Sequence, residues 1–293
     1  MIKRTVEVST PGSHLRTENA HLVVSVKGED QGRVPWEDLG LLILDQTQCT
    51  ITQAALAAAS QNGAVVAVCG RDHHPCGFLL PLAGNQLHPA RLRLQIEMNK
   101  PLGKRLWRQL VRAKLAGQAA MLPEKNVARV RISQLAKNVR LGDPDNKEAQ
   151  GARFYWPALF GKAFRRSREG PPPNNLLNFG YMVLRAATAR AIVSAGLHPA
   201  LGIEHSHRNN AFALADDLLE PYRPFVDERV LFMWRQGHAL VKKETKRQLY
   251  SLLATPIATA RGQSPLTVAL DRTATSFVDC LRGENNALEL PVR

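Results

Sequence analysis

A histidine and two carboxylates lie close together in the sequence between residues 202 and 227. His205 precedes a short acidic run in which Asp217 and Glu220 are three residues apart, and the apolar spacing around them predicts a helix. Residues three apart lie on the same helical face, so both carboxylates are expected to point the same way. The Pro-Tyr-Arg-Pro segment that follows should end this helix, because proline removes a hydrogen-bond donor and restricts the residue before it. An imidazole and two carboxylates could form half of a metal site.

The other half of such a site must come from elsewhere in the chain, and Glu148 is the candidate. It follows the turn-forming segment Asp-Pro-Asp-Asn-Lys and leads into a helical pattern over residues 149–160. Glu148 therefore falls in the first turn of a predicted helix, where a carboxylate complements the positive end of the helix dipole. Considered alone, it is more simply a helix-capping glutamate than a ligand.

The chain is strongly basic. Its 293 residues carry a formal net charge of +14, and residues 100–170 hold 17 Lys or Arg against 5 Asp or Glu. Such an excess favours a polyanionic partner, either nucleic acid or an anionic membrane surface. The densest segment, residues 161–168, contains three arginines, and clustered guanidinium groups bind phosphate through paired hydrogen bonds. We therefore favour nucleic acid over an ordinary solvated helix surface.

Other classes of protein are disfavoured by the sequence. No apolar run approaches the roughly 20 residues needed to span a bilayer, and the N-terminus lacks the apolar region of a signal peptide. Neither a P-loop nor a Gly-x-Ser-x-Gly motif occurs, so neither ATP nor serine-hydrolase chemistry is expected. Four scattered cysteines indicate reduced thiols in a cytoplasmic protein. The spacing of Cys69, His73, His74 and Cys76 matches no standard zinc pattern, and we interpret this segment as a structural turn.

The hydrophobic pattern changes near residue 85. Residues 1–85 are predicted to be β-rich, with strands near residues 5–9, 21–26, 41–44 and 64–69 and a helix over residues 52–62. Helical periodicity then runs through residues 92–98, 103–122, 126–135, 149–160, 176–195 and 227–236. We expect an α+β protein, with a small N-terminal β-sheet domain (1–85) followed by a larger all-helical catalytic domain (86–293). From about residue 259 the sequence is polar and mixed, and its end is expected to be poorly ordered.

Five motifs follow one another in order through the helical region. They are a glutamate helix (148–160), a basic loop (164–174), a central buried helix (178–184), a Gly-Ile-Glu-His approach to the histidine (196–205) and an acidic helix (217–227). Together they resemble the CRISPR-associated integrase, the spacer-acquisition enzyme of prokaryotic adaptive immunity. The strong match covers roughly residues 90–255. The Gly-Ile-Glu-His motif and the Glu-Pro-Tyr-Arg-Pro ending are most similar to the shorter members that accompany single-effector (type II) systems.

The resemblance implies a catalytic metal site made by Glu148, His205 and Glu220, with Asp217 as a supporting acidic residue. One imidazole with carboxylate oxygens suits Mg²⁺ or Mn²⁺. His207 is a competing ligand, although the Gly-x-x-His spacing favours His205. Many relatives have aspartate as the last ligand, so the longer Glu220 could shift the metal or let Asp217 take its place.

The resemblance also implies DNA-binding residues and partners. The expected DNA contacts come from six basic residues: Arg153, Lys162, Arg165, Arg166, Arg168 and Arg223. Tyr155, Trp156 and Tyr181 could also contact DNA, but aromatic residues beside a ligand helix more often belong to the core. In the family, the β domain forms a homodimer, and two such dimers flank a dimer of a small ferredoxin-like partner protein; the effector nuclease is a further candidate partner. No membrane partner is expected.

The predicted function is therefore metal-dependent DNA strand transfer. The 3′-hydroxyl ends of a short double-stranded DNA fragment would attack the leader–repeat boundary of a CRISPR array, with no covalent protein intermediate. The first alternative is a free-standing metal-dependent endonuclease on branched or single-stranded DNA, which would use the same residues. The second is a nucleic-acid-binding subunit without enzymatic activity.

Overall fold

The structure is a computed structural model and describes residues 3–71, 75–81, 85–205 and 209–293. The N-terminal elements are β1 (Arg4–Val8), β2 (Ser13–Glu18), β3 (His21–Val26), β4 (Glu29–Pro35), β5 (Leu39–Leu44), β6 (Thr50–Ile51), α1 (Gln53–Gln61), β7 (Val65–Cys69) and β8 (Pro75–Leu79). The C-terminal elements are α2 (His88–Ile96), α3 (Lys100–Ala120), α4 (Val127–Lys137), α5 (Lys147–Phe160), α6 (Asn174–Ser194), α7 (Ala213–Leu218), α8 (Arg223–Arg235), α9 (Lys243–Ser251), β9 (Pro256–Thr259), β10 (Gly262–Pro265) and α10 (Leu266–Arg282).

Two four-stranded sheets make up the N-terminal region. One has the order β4-β3-β2-β6, and the other has the order β1-β5-β7-β8, in which β1, β5 and β7 are parallel. Strand β5 is buried along its whole length, as expected for a continuous apolar run covered on both faces. Because side chains alternate along a strand, Leu42 and Leu44 pack into a small core with Trp36, while Leu41 and Ile43 join the large core of the helical region.

The helical region is built around α6, which is buried on nearly every side. Its Gly180 lies against α8, where an added Cβ would come within 2.4 Å of a methyl carbon of Val226. The absence of a side chain at this position therefore lets the two helices approach closely. Helices α7, α8, α9 and α10 surround α6, and α3 with α4 and α5 forms the face that carries the candidate site.

The predicted fold class is confirmed, with N-terminal sheets followed by a helical C-terminal region. The expectation of a poorly ordered end was wrong: residues 266–282 form α10, whose Leu270, Phe277 and Val278 are buried in the large core. The helical periodicity of these apolar residues is hard to see in the sequence, because threonines and charged residues separate them. The β9–β10 hairpin, which the sequence did not predict, lies within the helical region and precedes this helix.

One face of the β1-β5-β7-β8 sheet packs into the hydrophobic core of the helices. A buried ion pair also crosses between them, joining Asp45 at the end of β5 to Lys246 of α9. The division into residues 1–85 and 86–293 stays a prediction. The shared packing and the buried ion pair hold the two parts together.

Two further expectations concern the sheet and the membrane. Cys69 is buried and Cys76 is exposed, whereas His73 and His74 lie outside the described residues, so the turn interpretation of this segment stays a prediction. Within the ranges that the structure describes, no helix is both long and apolar enough to cross a bilayer.

A buried carboxylate ties α5, α6 and α8 together. Asp227 on α8 accepts hydrogen bonds from the hydroxyl groups of Tyr155 and Tyr181, and all three side chains lie in the core. Burial raises the pKa of Asp227 to about 6, although both tyrosine hydroxyls oppose the rise. Both tyrosines thus hold the core together, as their position beside a ligand helix predicted.

The raised pKa of Asp227 gives a pH-dependent stability. Its protonated form is favoured by folding, so the stabilisation is present below the ordinary aspartate pKa near 4 and is lost as pH rises through about 6. We expect the unfolding free energy of the wild type, relative to Asp227→Asn, to fall by about 2 kcal/mol between pH 4 and pH 7. Denaturant titrations of both proteins across this range measure the difference. A difference that does not change with pH would contradict the prediction.

Candidate active site

The first turn of α5 holds Glu148 in a fixed position. Its backbone N–H groups are satisfied by two side chains that precede the helix. Asp143 accepts hydrogen bonds from the amides of Lys147 (2.8 Å) and Glu148 (3.0 Å), and Asn146 accepts one from the amide of Ala149 (3.1 Å). These contacts cap the helix, so the Glu148 carboxylate is not needed for capping and can bind another partner. The predicted place of Glu148 in the first helical turn is confirmed.

Glu220 lies beyond the helix that was expected to carry it. Helix α7 ends at Leu218, and a short 3-10 turn, Glu220–Tyr222, connects it to α8. The expectation that one continuous helix carries both Asp217 and Glu220 is therefore wrong, and their carboxylates have different hydrogen-bond partners. Glu220 is buried, with a side chain that is 4% exposed.

A lysine of α3 brings the two glutamates together. The Lys114 ammonium nitrogen lies 2.5 Å from Oε1 of Glu148 and 2.5 Å from Oε2 of Glu220. Arg223 donates a hydrogen bond of 2.8 Å from Nε to the other oxygen of Glu220. Burial alone would raise the pKa of Glu220, but Arg223 and Lys114 together hold it below its ordinary value. Glu220 is therefore an ionised carboxylate at neutral pH.

His205 is held by the buried carboxylate of Asp217. The Nδ1 atom of His205 lies 2.5 Å from Oδ1 of Asp217, and the backbone amides of Ile203, Glu204 and His205 donate to the same carboxylate. Gly202 permits this loop, since a Cβ there would lie 2.3 Å from the carbonyl oxygen of His205. With both oxygens engaged, the geometry supports a positioning role for Asp217.

This arrangement leaves the Nε2 nitrogen of the imidazole available. The hydrogen bond to Asp217 raises the pKa of His205 above its ordinary value, against the lowering effect of burial. The edge-on ring of Trp107, whose centroid is 5.8 Å from that of His205, supports the imidazole. Because Nδ1 is committed to Asp217, Nε2 is the nitrogen that a metal or a substrate would meet. His207 lies outside the described residues.

The donor set suits a hard divalent cation. Oxygens of Glu148 and Glu220, which come from separate elements, already lie around one positive charge, and Glu220 is buried and ionised. Carboxylate oxygens with one imidazole are ligands that Mg²⁺ and Mn²⁺ accept. In the described part of the chain, no three His, Cys, Asp or Glu side chains surround a common point. The structure brings Glu148 and Glu220 together at Lys114, and metal binding by Glu148, Glu220 and His205 stays a prediction.

A basic cavity opens beside His205. It has a volume of about 420 Å³, and its lining includes His205, Asp216, Arg166, Arg168, Arg185 and Arg223. Arg185 makes a two-pronged ion pair with Asp216, and Arg166 donates hydrogen bonds to Asn174 and Asn178, which fixes both guanidinium groups at the wall. Four arginines at one cavity form a site suited to phosphate.

The six predicted DNA-binding residues divide into two groups. Arg166, Arg168 and Arg223 line the basic cavity. Arg153 on α5 is exposed, as are Lys162 and Arg165 in the loop after it. Trp156 packs among Tyr155, Phe160 and Phe164, which agrees with the core role expected for these aromatic residues.

Sequence reasoning missed Lys114 and Arg185. Both occupy helices whose neighbouring positions are apolar, and Lys114 lies between the buried Val111 and Leu115. A lysine at the apolar period of an amphipathic helix must find a carboxylate partner. That irregularity was the available signal, and it was hidden by the large number of basic residues in the same helix.

Gly151 allows α5 to approach α3 at the candidate site. A Cβ at this position would lie 2.2 Å from a methyl carbon of the buried Leu115, next to Lys114. We expect Gly151→Ala to lower the unfolding free energy by about 1–3 kcal/mol through overpacking, and to displace Glu148 on the same helix. Gly32→Ala is the control, because nothing lies within 4 Å of its Cβ. Equal denaturation curves for the two variants would contradict the prediction.

Comparison with known proteins identifies the family. The family model described as CRISPR associated protein Cas1 matches residues 6–255. The chain is 36% identical over 285 residues to the CRISPR-associated endonuclease Cas1 of Neisseria meningitidis serogroup C, covering 96% of this chain and 93% of that protein. The chain therefore belongs to the Cas1 family, and the resemblance found in its motifs is confirmed.

Two solved structures have a similar fold. A casposase bound to its integration product aligns with a TM-score of 0.81 at 19% identity, covering 98% of this chain and 92% of that chain. A chain of a Cas6-RT-Cas1–Cas2 complex aligns with a TM-score of 0.77 at 18% identity, covering 98% of this chain and 36% of that longer chain. At these identities the likeness concerns the fold.

Proposed function

We propose that this protein is a metal-dependent DNA integrase that joins the 3′-hydroxyl ends of short DNA fragments to the leader–repeat boundary of a CRISPR array. The observation that carries the proposal is the arrangement of Glu148 and Glu220 around one positive charge, with His205 at the edge of an arginine-lined cavity. Membership of the Cas1 family and the similar fold of a casposase bound to its integration product support it.

The residues divide the chemistry between them. Glu148, Glu220 and Nε2 of His205 would hold Mg²⁺ or Mn²⁺, and Asp217 would keep the imidazole oriented. A bound divalent cation makes the attacking 3′-hydroxyl more nucleophilic and stabilises charge on the attacked phosphate. The arginines of the cavity would bind the phosphates on either side of the reacting bond. The displaced 3′-oxygen leaves directly, so no protein side chain forms a bond to DNA.

The face formed by α3 and α4 offers a second contact with DNA. These two helices carry nine Lys or Arg and no Asp or Glu in their sequences. A cavity of about 520 Å³ between them is lined by alanines and by four cationic side chains, Arg112, Arg129, Lys137 and Arg293. Arg293 is paired with Glu228, whereas Arg112, Arg129 and Lys137 lie on helices without acidic residues. Such cations favour the phosphate backbone of duplex DNA, whatever its sequence.

The double variant Arg112→Gln/Lys137→Gln tests this face. We expect weaker binding to a short duplex, and a slope of log affinity against log salt that is shallower by about 2, because roughly one counterion is released per phosphate contact. Fluorescence anisotropy at several salt concentrations measures the slope. Lys27→Gln, in an exposed turn of the N-terminal sheet, is the control and should leave it unchanged. An unchanged slope in the double variant would place the duplex elsewhere.

A strand-transfer assay tests the function. The substrates are a labelled short duplex with free 3′-hydroxyl ends and a supercoiled plasmid that carries a leader and a repeat, with Mn²⁺ or Mg²⁺. We expect label to be joined covalently to the plasmid by the wild type and not by His205→Ala. Joining that survives His205→Ala would refute the assignment of His205.

The same assay tests the second candidate function, an endonuclease, which is favoured by the name of the Neisseria meningitidis relative, CRISPR-associated endonuclease Cas1. Hydrolysis breaks a phosphodiester bond and leaves two new strand ends. Integration breaks one phosphodiester bond and forms another, so the label becomes joined to the plasmid. Cleavage without joining, with the small partner present, would support the endonuclease.

The proposed assembly follows from the family. The N-terminal region would form a homodimer, and a small ferredoxin-like protein would connect two dimers; the Cas6-RT-Cas1–Cas2 structure supports such a partner. The effector nuclease is a further candidate partner, and the cytoplasm is the proposed location. Size-exclusion chromatography with light scattering, with and without the small partner, measures these states.

A further inference from the structure

Lys114 occupies an unusual position in the candidate site. It is 8% exposed, on the buried side of α3, and its ammonium group makes ion pairs with two of the three proposed metal ligands. A lysine is seldom buried without carboxylate partners, and both of its partners are residues that a metal would also need.

The charges at this point already balance. Glu148 and Glu220 contribute two negative charges, and Lys114 and Arg223 contribute two positive charges. Arg223 is fixed twice, by its hydrogen bond to Glu220 and by stacking over the ring of Tyr181, with 4.5 Å from the guanidinium carbon to the ring centroid. Adding a divalent cation would leave an excess of positive charge in a largely buried place, offset only in part by the Asp217 carboxylate bonded to His205, which is unfavourable.

We propose that Lys114 is a resident counter-cation that competes with the divalent metal for Glu148 and Glu220. This inference rests on the proposed metal site and adds how the site is loaded. Without DNA, the ammonium group holds both carboxylates together and keeps the metal affinity low. When DNA binds, its phosphates supply the negative charge that lets the metal and the lysine remain in the site together. Metal loading is thereby coupled to the presence of DNA.

Substitutions separate this role from a purely structural one. Lys114→Met keeps the length of the side chain and removes its charge, whereas Lys114→Arg keeps the charge. Lys104→Met makes the same change at an exposed position of the same helix. If Lys114 only fastened α3 to α5, removing its charge would loosen the ligands and weaken metal binding.

The experiment titrates Mn²⁺ alone into each purified protein, with free Mn²⁺ measured by electron paramagnetic resonance and folding checked by circular dichroism. We expect Lys114→Met to bind Mn²⁺ about tenfold more tightly than the wild type, or better, because a unit positive charge beside the site is removed. Lys114→Arg and Lys104→Met should resemble the wild type. Lys114→Gln replaces Lys114→Met should the latter not fold. Unchanged or weaker Mn²⁺ binding in the uncharged variant would overturn the proposal.

A second titration includes a saturating short duplex without reactive ends. We expect the duplex to increase the Mn²⁺ affinity of the wild type more than that of Lys114→Met. An equal increase in both proteins would overturn the coupling, while strand joining by the wild type would leave the proposed function standing. Absence of Mn²⁺ binding to the wild type with DNA present would refute the metal site, and the inference with it.

Discussion

Glu148→Gln is expected to reduce metal-dependent joining of DNA ends by at least about 10³-fold, since loss of an outer partner of a metal ligand costs 10–100-fold and loss of a direct ligand costs more. The amide keeps the shape of the side chain and removes the charge that faces Lys114. The cap of α5 is made by Asp143 and Asn146, so the helix should remain intact. The effect should therefore fall on activity rather than on folding.

Initial rates of label transfer, with enzyme and DNA in excess over their binding constants, measure the effect of Glu148→Gln. Thermal unfolding of the same preparation shows whether the protein is folded. Glu124→Gln is the matched control, an identical change at an exposed turn before α4, and it should join DNA at the wild-type rate. Joining by Glu148→Gln within tenfold of that control would remove Glu148 from the site.

Asp217→Ala is expected to affect both stability and activity. The carboxylate is fully buried and accepts hydrogen bonds from three backbone amides as well as from His205. Removing it leaves buried donors without an acceptor, so we expect a loss of about 3–5 kcal/mol in the unfolding free energy. The loop that carries His205 also loses its anchor, so joining should fall by at least about a hundredfold.

Asp217→Asn distinguishes the two effects. An amide oxygen can still accept from the loop backbone, so stability should partly recover, while the imidazole loses its charged partner and joining stays low. Asp145→Ala, which removes a half-buried carboxylate paired with the exposed Arg140, is the control and should change little. Full joining activity in Asp217→Asn would mean that His205 needs no charged support.

The sequence was sufficient where local pattern and packing agree. The run Leu-Leu-Ile-Leu at residues 41–44 predicted a buried strand, and β5 is buried on both faces. The turn segment before Glu148 predicted the start of α5. In both cases the apolar periodicity and the capping residues are short-range features, and the tertiary structure keeps the secondary structure that they favour.

The sequence was insufficient where distant partners decide the outcome. Lys114 resembles any other cation of α3, and only the approach of α5 and of the turn at Glu220 makes it a buried bridge. Asp217 and Glu220 lie in different elements and have different partners, the loop at His205 for Asp217 and the lysine of α3 for Glu220. Such preferences have no local signature.

The joint between the N-terminal sheet and the helices has a mechanical consequence. Leu41 and Ile43 of β5 belong to the same core as α6, and the Asp45–Lys246 pair closes the boundary without exposure to solvent. A joint packed like a domain interior does not bend as a linker does. In a dimer formed through the N-terminal region, the two catalytic centres would then be held at a constant separation. That fixed separation would set the length of DNA that can reach both centres.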